Sequence, residues 1–450
     1  MASAAEQLAA NFNFGAIAKA TELKQRIWFT LGALIVYRLG TYIPVPGIDA
    51  QILQDIFQSQ AGGILGVFDM FSGGSLGRMT IFALSIMPYI SAAIIMQLMT
   101  AVSPTLAQLK KEGESGRKKI NQYTRYGTVV LAAFQAYGMA VGLERMNTSA
   151  GVSAVIDPGV FFRLVTVITL TGGTMFLMWL GEQITQRGVG NGISLIIFAG
   201  IVANLPLAMA QLFELSRVGE ISWAVLLLFL GMAIAVIAFI VFMERAQRRL
   251  LVQYPKRQVG NRMFGGESTH LPLKLNPAGV IPPIFASSLL LMPLTVAGFA
   301  NSGAGQPGWL SWVTTNLAHG QPLYMVAYVA LIIFFAFFYT SIVFNPVDTA
   351  DNLKKHGGFI PGIRPGKNTA DYINYVLMRL VTVGALYLAL VCLLPEFLIA
   401  QYAVPFYFGG TSLLIVVSVT MDTVAQVHSH LLAHQYEGLI KKAKLKGRRG

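Results

Sequence analysis

The side chains that most often do chemistry are sparse in this chain and poorly spaced. His428, His430 and His434 follow one another as H-x-H-x-x-x-H. That spacing can ligate a metal, but no cysteine or nearby carboxylate constellation accompanies it, and the alternative is a solvated interfacial helix. The chain has 1 cysteine, Cys392, which excludes an internal disulfide, a cysteine-ligated zinc centre and an iron–sulfur cluster. The run RGVGNG (187–192) suggests a glycine-rich phosphate cradle, yet it follows no strand and joins two apolar runs, so it reads as a tight interfacial turn. Gly366-Lys367 lacks both the upstream glycine and the following Ser/Thr of a phosphate loop. No Ser/His/Asp arrangement is legible. The expectation is therefore no catalytic residue, no metal and no cofactor, with any nucleotide hydrolysis supplied by a partner.

With no reaction to position, the residues belong to elements of another kind. The chain has 450 residues, 54% of them hydrophobic and 12% charged, whereas ordinary soluble domains carry roughly 25% charged residues. So few charges cannot cover a water-soluble surface of this size, which excludes a cytosolic enzyme of two or three domains. Abundant apolar residues exclude disorder. A bilayer-spanning helix needs about 20 mostly apolar residues. Ten such runs occur, near 27–43, 79–100, 122–142, 160–180, 192–213, 222–243, 276–297, 322–344, 372–394 and 407–427. The first is read as a span, because it follows polar residues 1–26 and enters IPVPG (43–47) without a small-residue cleavage pattern. Ten helices that satisfy their own backbone groups in lipid give an all-α, polytopic membrane architecture.

An even number of spans puts both ends of the chain on one side, and the basic residues say which. Lys and Arg crowd the N-terminal tail, loop 101–125, the turn after 180, loops 244–275 and 345–371, and the C-terminal tail. The exceptions are Arg38, Arg78, Arg145, Arg163, Arg217 and Arg379. The positive-inside rule then places both termini in the cytoplasm. Five spans precede loop 214–221 and five follow it. Residues 27–213 and 214–427 are thus halves of opposite orientation, the geometry of an inverted repeat, set between the tail 1–26 and a basic tail 428–450. No sequence identity between the halves supports a duplication.

Several segments depart from a plain bundle. Residues 61–77, AGGILGVFDMFSGGSLG, hold an apolar stretch, Ile64–Phe71, that is too short to span, is interrupted by Asp69 and is ringed by glycines. They read either as a short helix dipping into the protein or as an amphipathic surface helix. The runs between 79 and 344 hold no Asp or Glu, and Asp371, Glu396 and Asp422 sit at span edges. Ion-coupled carriers usually keep a carboxylate near the midplane, so a pathway here is lined by apolar side chains and can gate by dewetting. Gln97, Gln135 and Asn276 lie within or at the cytosolic ends of runs. They are either interhelical glue, each worth about 0.6–2 kcal/mol, or a breakable seam. Pro88, Pro282 and Pro283 fall inside the second and seventh runs and predict kinks. The loops KKEGESGRKKINQYTRYG (110–127), ERAQRRLLVQYPKRQVGNR (244–262) and NLKKHGGFIPGIRPGKN (352–368) are longer than topology requires. Basic and interleaved with Tyr and Pro, they suit docking to an anionic partner such as ribosomal RNA or an acidic protein face.

Seven motifs in order span nearly the whole chain: RLGTYIPVPGID (38–49), FDMFSGGSLGRMTIFALSIMPYISAAIIMQL (68–98), KKEGESGRKKINQYTRYGT (110–128), MWLGEQITQRGVGNGISLIIFAGIVA (178–203), STHLPLKLNPAGVIPPIFASS (268–288), FNPVDTADNLKKHGGFIPGIRPGKNTADYI (344–373) and VPFYFGGTSLLIVV (404–417). On these motifs the chain resembles the SecY family of bacterial protein-conducting channels. The resemblance implies an hourglass pore between the two inverted halves, in the bacterial inner membrane. Such a channel opens across the membrane for secreted chains and sideways into lipid for membrane segments.

The same resemblance implies roles for particular residues. Those near 62–76 match the plug. Ile86, Ile90, Ile193, Ile197, Ile284 and Ile415 match the apolar pore ring; without the motifs they would read as core isoleucines of apolar helices. Gln97, Gln135 and Asn276 match the polar cluster of a lateral gate, between the second and third spans on one face and the seventh and eighth on the other. The two longest basic loops are expected to bind the SecA motor ATPase or the ribosome through Arg257, Arg262 and above all Arg364. SecE and SecG subunits, signal peptides, nascent chains and membrane lipids are the other implied partners. A small-solute transporter and a structural membrane scaffold are the rival classes. The missing midplane carboxylate argues against an ion-coupled carrier, though not against a uniporter, and the long basic loops argue against a simple carrier.

Overall fold

Backbone groups in lipid must be satisfied within their own segment, so each apolar run should become a helix, and each of the ten coincides with one. The computed structural model describes residues 20–49, 51–53, 69, 72–145, 153–219, 222–254, 257–259, 262–264, 268–300, 312, 316–317, 321–402 and 410–446. The elements in chain order are α1 (Thr21–Gly40), α2 (Met87–Val102), α3 (Pro104–Lys111), α4 (Glu114–Arg145), α5 (Val160–Arg187), α6 (Gly192–Val218) and α7 (Trp223–Arg245). The strands β1 (Gln247–Gln253), β2 (Arg257–Val259), β3 (Arg262–Phe264) and β4 (Ser268–Lys274) follow. Then come α8 (Ile281–Ala300), α9 (Pro322–Val343), α10 (Pro346–Lys355), α11 (Lys367–Tyr402) and α12 (Gly410–Lys446). Among the described residues, 7 helices are long and apolar enough to cross a membrane, or 8 if α2 and α3 make one bent span. α1 is not among them; its 20 residues include Glu22, Lys24, Arg26 and Arg38.

The expected proline kinks are corrected by the structure. The second run does not become helical until Met87, which puts Pro88 in the first turn of α2. Pro282 and Pro283 likewise fall in the first turn of α8, which starts at Ile281. First-turn N–H groups have no partner within the helix, so these prolines remove no bond and bend nothing. Residues 79–86 stay out of α2 because their backbone is engaged elsewhere. Val45 N–H donates to the Met79 carbonyl at 2.9 Å and Ile81 N–H to the Ile43 carbonyl at 3.0 Å. Met79 and Ser85 hold left-handed backbone in this stretch, at φ 44° and 52°. Pro206 does lie inside a helix, α6.

The chain divides into two compact units, Met1–Pro206 with Gly298–Gln306 and Val419–Gly450, and Leu207–Ala297 with Pro307–Ser418. In the first unit α4 packs along α5, α2 against α4, and α1 against α5. Glycine permits close approach: a Cβ on Gly173 of α5 would sit 1.9 Å from the Ile81 carbonyl oxygen. α2 and α3 meet at 98°. Pro104 bars Ser103 from helical backbone, and Ser103 is extended at φ −89°, ψ 119°.

In the second unit α9 and α10 both pack on α11. The interior includes Ala336, Leu377, Val381 and Ala385. Loop 244–275 is the departure from an otherwise helical fold. β1 and β4 pair antiparallel with Leu250 opposite Leu271, and β2 pairs with β3. Outside lipid, strands can satisfy one another's backbone, and the alternation in QRRLLVQ supplies a buried edge. Leu250, Val252 and Leu273 pack with Ile360 and Ile373.

Candidate functional site

The turn between α5 and α6 shows how little room there is for a phosphate. Val189 N–H donates to Thr30 Oγ1 at 3.0 Å, Gly190 N–H to Gln426 Oε1 at 2.9 Å, and Gly192 N–H to Thr185 Oγ1 at 2.9 Å. The donors that would cradle an anion are spent on α1, α12 and α5. The run RGVGNG is a tight turn joining those three helices. Among the described residues, no three His, Cys, Asp or Glu side chains gather as a metal site requires.

The six isoleucines sit at the starts of apolar helices. Ile86 caps α2 and Ile90 lies one turn on, both buried. Ile193, half-buried, and Ile197, buried, are one turn apart at the start of α6. These four belong to the first unit. Ile284, in the first turn of α8, and Ile415, on α12, are buried in the second.

The polar residues divide in the same way. Gln97 on α2 and Gln135 on α4 lie on packed helices, and each encloses its Oε1 without a hydrogen-bond partner. Asn276 is 4% exposed. Its Nδ2 donates to Glu244 Oε1 at 2.9 Å and to the Gly279 carbonyl at 3.0 Å. Glu244 is a partner that sequence reasoning missed, although its place at the last turn of α7 is the one signal it offers.

The described end of the Gly-rich segment is held by charge. Asp69 Oδ1 accepts the Gly77 N–H at 2.7 Å, and the Asp69 carbonyl accepts the Gly74 N–H at 2.9 Å. Burial pushes the Asp69 carboxyl up, against the pull of backbone N–H donors, Ser72 and Arg78. Arg38 Nη1 donates to the Gly73 carbonyl at 2.9 Å and Arg78 Nε to the Gly74 carbonyl at 3.0 Å. Both guanidinium groups stack on the Tyr42 ring, at 5.0 and 4.3 Å from its centroid. Gly73, at φ 70°, lies so close to Gly200 of α6 that an added Cβ would be 3.0 Å from that backbone. Residues 62–68 and 70–71, the rest of the expected plug, lie outside the described residues. Sequence reasoning missed this clamp; its signal is that Arg38 and Arg78 are among the few basic residues away from the basic loops.

The two longest basic loops, 244–275 and 345–371, form one body in the second unit. Gln253, at the end of β1, exchanges both backbone hydrogen bonds with Phe359, each at 2.9 Å. Ile360 is buried against the ribbon and Ile363 packs beside it, so the turn carrying Arg364 is seated there. Arg364 itself is exposed, and its carbonyl accepts the Thr369 hydroxyl at 2.9 Å. Arg257 and Arg262 stand on neighbouring strands at the ribbon's tip, where Arg257 pairs with Phe264 and Val259 with Arg262.

Comparison with known proteins adds independent findings. The SecY family model matches residues 80–424. The protein translocase subunit SecY of Escherichia coli K12 is 58% identical over 426 residues, covering 95% of this chain and 96% of that protein. The subunit of the same name from Vibrio cholerae is 58% identical over 429 residues, covering 95% and 96%. That from Rickettsia felis is 56% identical over 425 residues, covering 94% and 97%. Among solved structures, one described as a protein-conducting channel matches with a TM-score of 0.63 at 17% identity, covering 90% of this chain and 92% of the other. Canine Sec61 in a ribosome–channel complex matches with a TM-score of 0.59 at 17% identity, again covering 90% and 92%. At that identity the structures speak for the fold.

Proposed function

The chain belongs to the SecY family, and from that membership we propose that it is the protein-conducting subunit of a translocase in the bacterial inner membrane, with both termini in the cytoplasm. It passes unfolded polypeptides across the membrane and releases apolar segments sideways into lipid. The observation that carries this reading is likeness to SecY subunits over 95% of the chain; the six isoleucines all lie inside the seven sequence motifs that carry the resemblance.

Physics suits those isoleucines to the task. Flexible apolar side chains close around many peptide sequences without preferring any, and they exclude water from a narrow neck, which hinders ion leak. A charged gasket would hold some passengers and reject others. Ile86, Ile90, Ile193, Ile197, Ile284 and Ile415 are the proposed ring. Residues 27–213 and 214–427 are the proposed inverted halves. Gln97, Gln135 and Asn276 are proposed to line the seam that opens to lipid. A passing Leu or Ile there gains about 0.3–0.6 kcal/mol and a central charge loses about 2.5–3.5 kcal/mol, so the bilayer sorts segments by composition. The chain does no chemistry on its passengers. Energy comes from the SecA motor ATPase or the ribosome, docked through Arg364, Arg257 and Arg262, and SecE and SecG complete the channel. A photo-crosslinker at Ile90 or Ile284 is expected to capture a stalled translocating polypeptide. If neither position yields an adduct while the stalled chain is present, the channel reading fails.

A further inference from the structure

α11 carries an arginine inside its apolar stretch. Arg379 lies about three turns past the helix start at Lys367, among the exposed residues Tyr375, Met378, Val383 and Leu386. Its guanidinium rests over the Tyr375 ring, 4.1 Å from the centroid. Among the described residues no carboxylate forms an ion pair with it. A guanidinium on an apolar helix face is costly unless an anion meets it.

Two cavities adjoin at this point. One, of about 430 Å³, is an open depression whose lining includes Asp371, Asn374, Tyr375, Arg379 and Thr382. The other, of about 500 Å³, is an aromatic trough between α9 and α11, lined chiefly by Phe334, Phe337, Phe338, Phe344 and Leu377. Phe337, Asn374 and Met378 line both.

We propose that this is a binding site for one anionic phospholipid, with its headgroup phosphate against Arg379 and an acyl chain along the phenylalanine trough. Charge complementarity selects the occupant. The Asn374 amide supplies a further donor, and Asp371, at the rim two turns nearer the helix start, accepts headgroup hydroxyls. Depth agrees. The proposal rests on the reading of α11 as a span entering from the cytosol, which sets Arg379 about 10 Å along the apolar run. Basic pockets between helices at that face are where anionic headgroups bind.

The test uses the full chain, with the subunits it carries, in phosphatidylcholine vesicles containing a trace of phospholipid with a photoreactive acyl chain. Peptides around Phe337 and Met378 are expected to be labelled about tenfold more by the phosphatidylglycerol probe than by the phosphatidylcholine probe, the scale of one charge-assisted contact. Arg379→Gln brings the two probes to parity, Arg379→Lys keeps most of the preference, and inorganic phosphate does not compete. Equal labelling by both probes in the unaltered protein overturns the site but leaves α11 in the bilayer. Labelling by neither overturns the site, because protein then covers this face or α11 does not face lipid; a membrane-impermeant thiol reagent on single cysteines at the two ends of α11 tells whether the span reading falls with it. Competition by inorganic phosphate overturns the lipid in favour of a free anion.

Discussion

Arg125 on α4 grips Glu182 on α5 with two parallel hydrogen bonds, Nε to Oε1 at 3.1 Å and Nη2 to Oε2 at 2.6 Å. Nineteen residues further along α4, Glu144 accepts Arg163 of α5 at 2.6 Å and the Gly159 N–H at 3.0 Å. The same nineteen residues separate Arg163 from Glu182 on α5. The two clamps are thus about 28 Å apart at 1.5 Å per residue, close to the ~30 Å apolar thickness of a bilayer. Charges at both ends of the hairpin hold its helices in register and stay out of the apolar layer.

The clamps should differ in weight. Glu144 is more enclosed than Glu182, with side-chain exposures of 9% and 25%. Glu144→Ala also strips a charged acceptor from Gly159, a loss of about 1.5–3 kcal/mol by itself, whereas the exposed Arg125–Glu182 pair is worth about 1 kcal/mol or less. Thermal unfolding of the purified protein should show the larger drop for Glu144→Ala than for Glu182→Ala. Equal shifts would remove the distinction.

Replacing several ring isoleucines, such as Ile86, Ile90 and Ile284, with serine should raise ion conductance of reconstituted channels severalfold, because polar side chains let water wet the neck. Unchanged conductance in planar bilayers would count against the ring.

Arg364→Glu should reduce motor-driven translocation about tenfold or more, since reversing a docking charge turns attraction into repulsion. The turn keeps its shape without the guanidinium, because the bond from Thr369 goes to the Arg364 backbone. Subunit assembly should therefore be intact on a native gel. Normal translocation in inverted vesicles would strike Arg364 from the docking surface.

Asp69 makes the Gly-rich segment pH-sensitive in a stated direction. Its carboxyl is raised by burial, so the seated segment binds a proton more tightly than the released one. Seating is then favoured below the ordinary carboxylate pKa, and the gain is lost as pH rises through the raised value. Limited proteolysis near residue 69 should slow as pH falls across that window, and Asp69→Asn, which keeps an acceptor for the Gly77 N–H, should abolish the dependence. A slope that survives in Asp69→Asn would assign it to another group.

How much was legible follows from how local each signal is. Apolar runs such as 160–180 and 222–243 become α5 and α7 nearly end to end, because a helix in lipid depends only on its own residues. The alternation in QRRLLVQ is equally local, but it says nothing of the partner that makes it a strand. The kinks expected at Pro88 and Pro282 failed for a related reason. A proline's effect depends on where the helix begins, and α2 begins at Met87 because residues 43–45, far off in sequence, hold 79–81 in another conformation.

By itself, then, the sequence determined the helical membrane class and the family, since composition, run length and contiguous motifs are properties of neighbouring residues. Only the tertiary structure decided that Asn276 answers to Glu244, that Arg38 and Arg78 share the Tyr42 ring, and that Gln253 pairs with Phe359 to seat the turn of Arg364. These bonds join residues brought together by packing, where geometry and not order along the chain sets which donor reaches which acceptor.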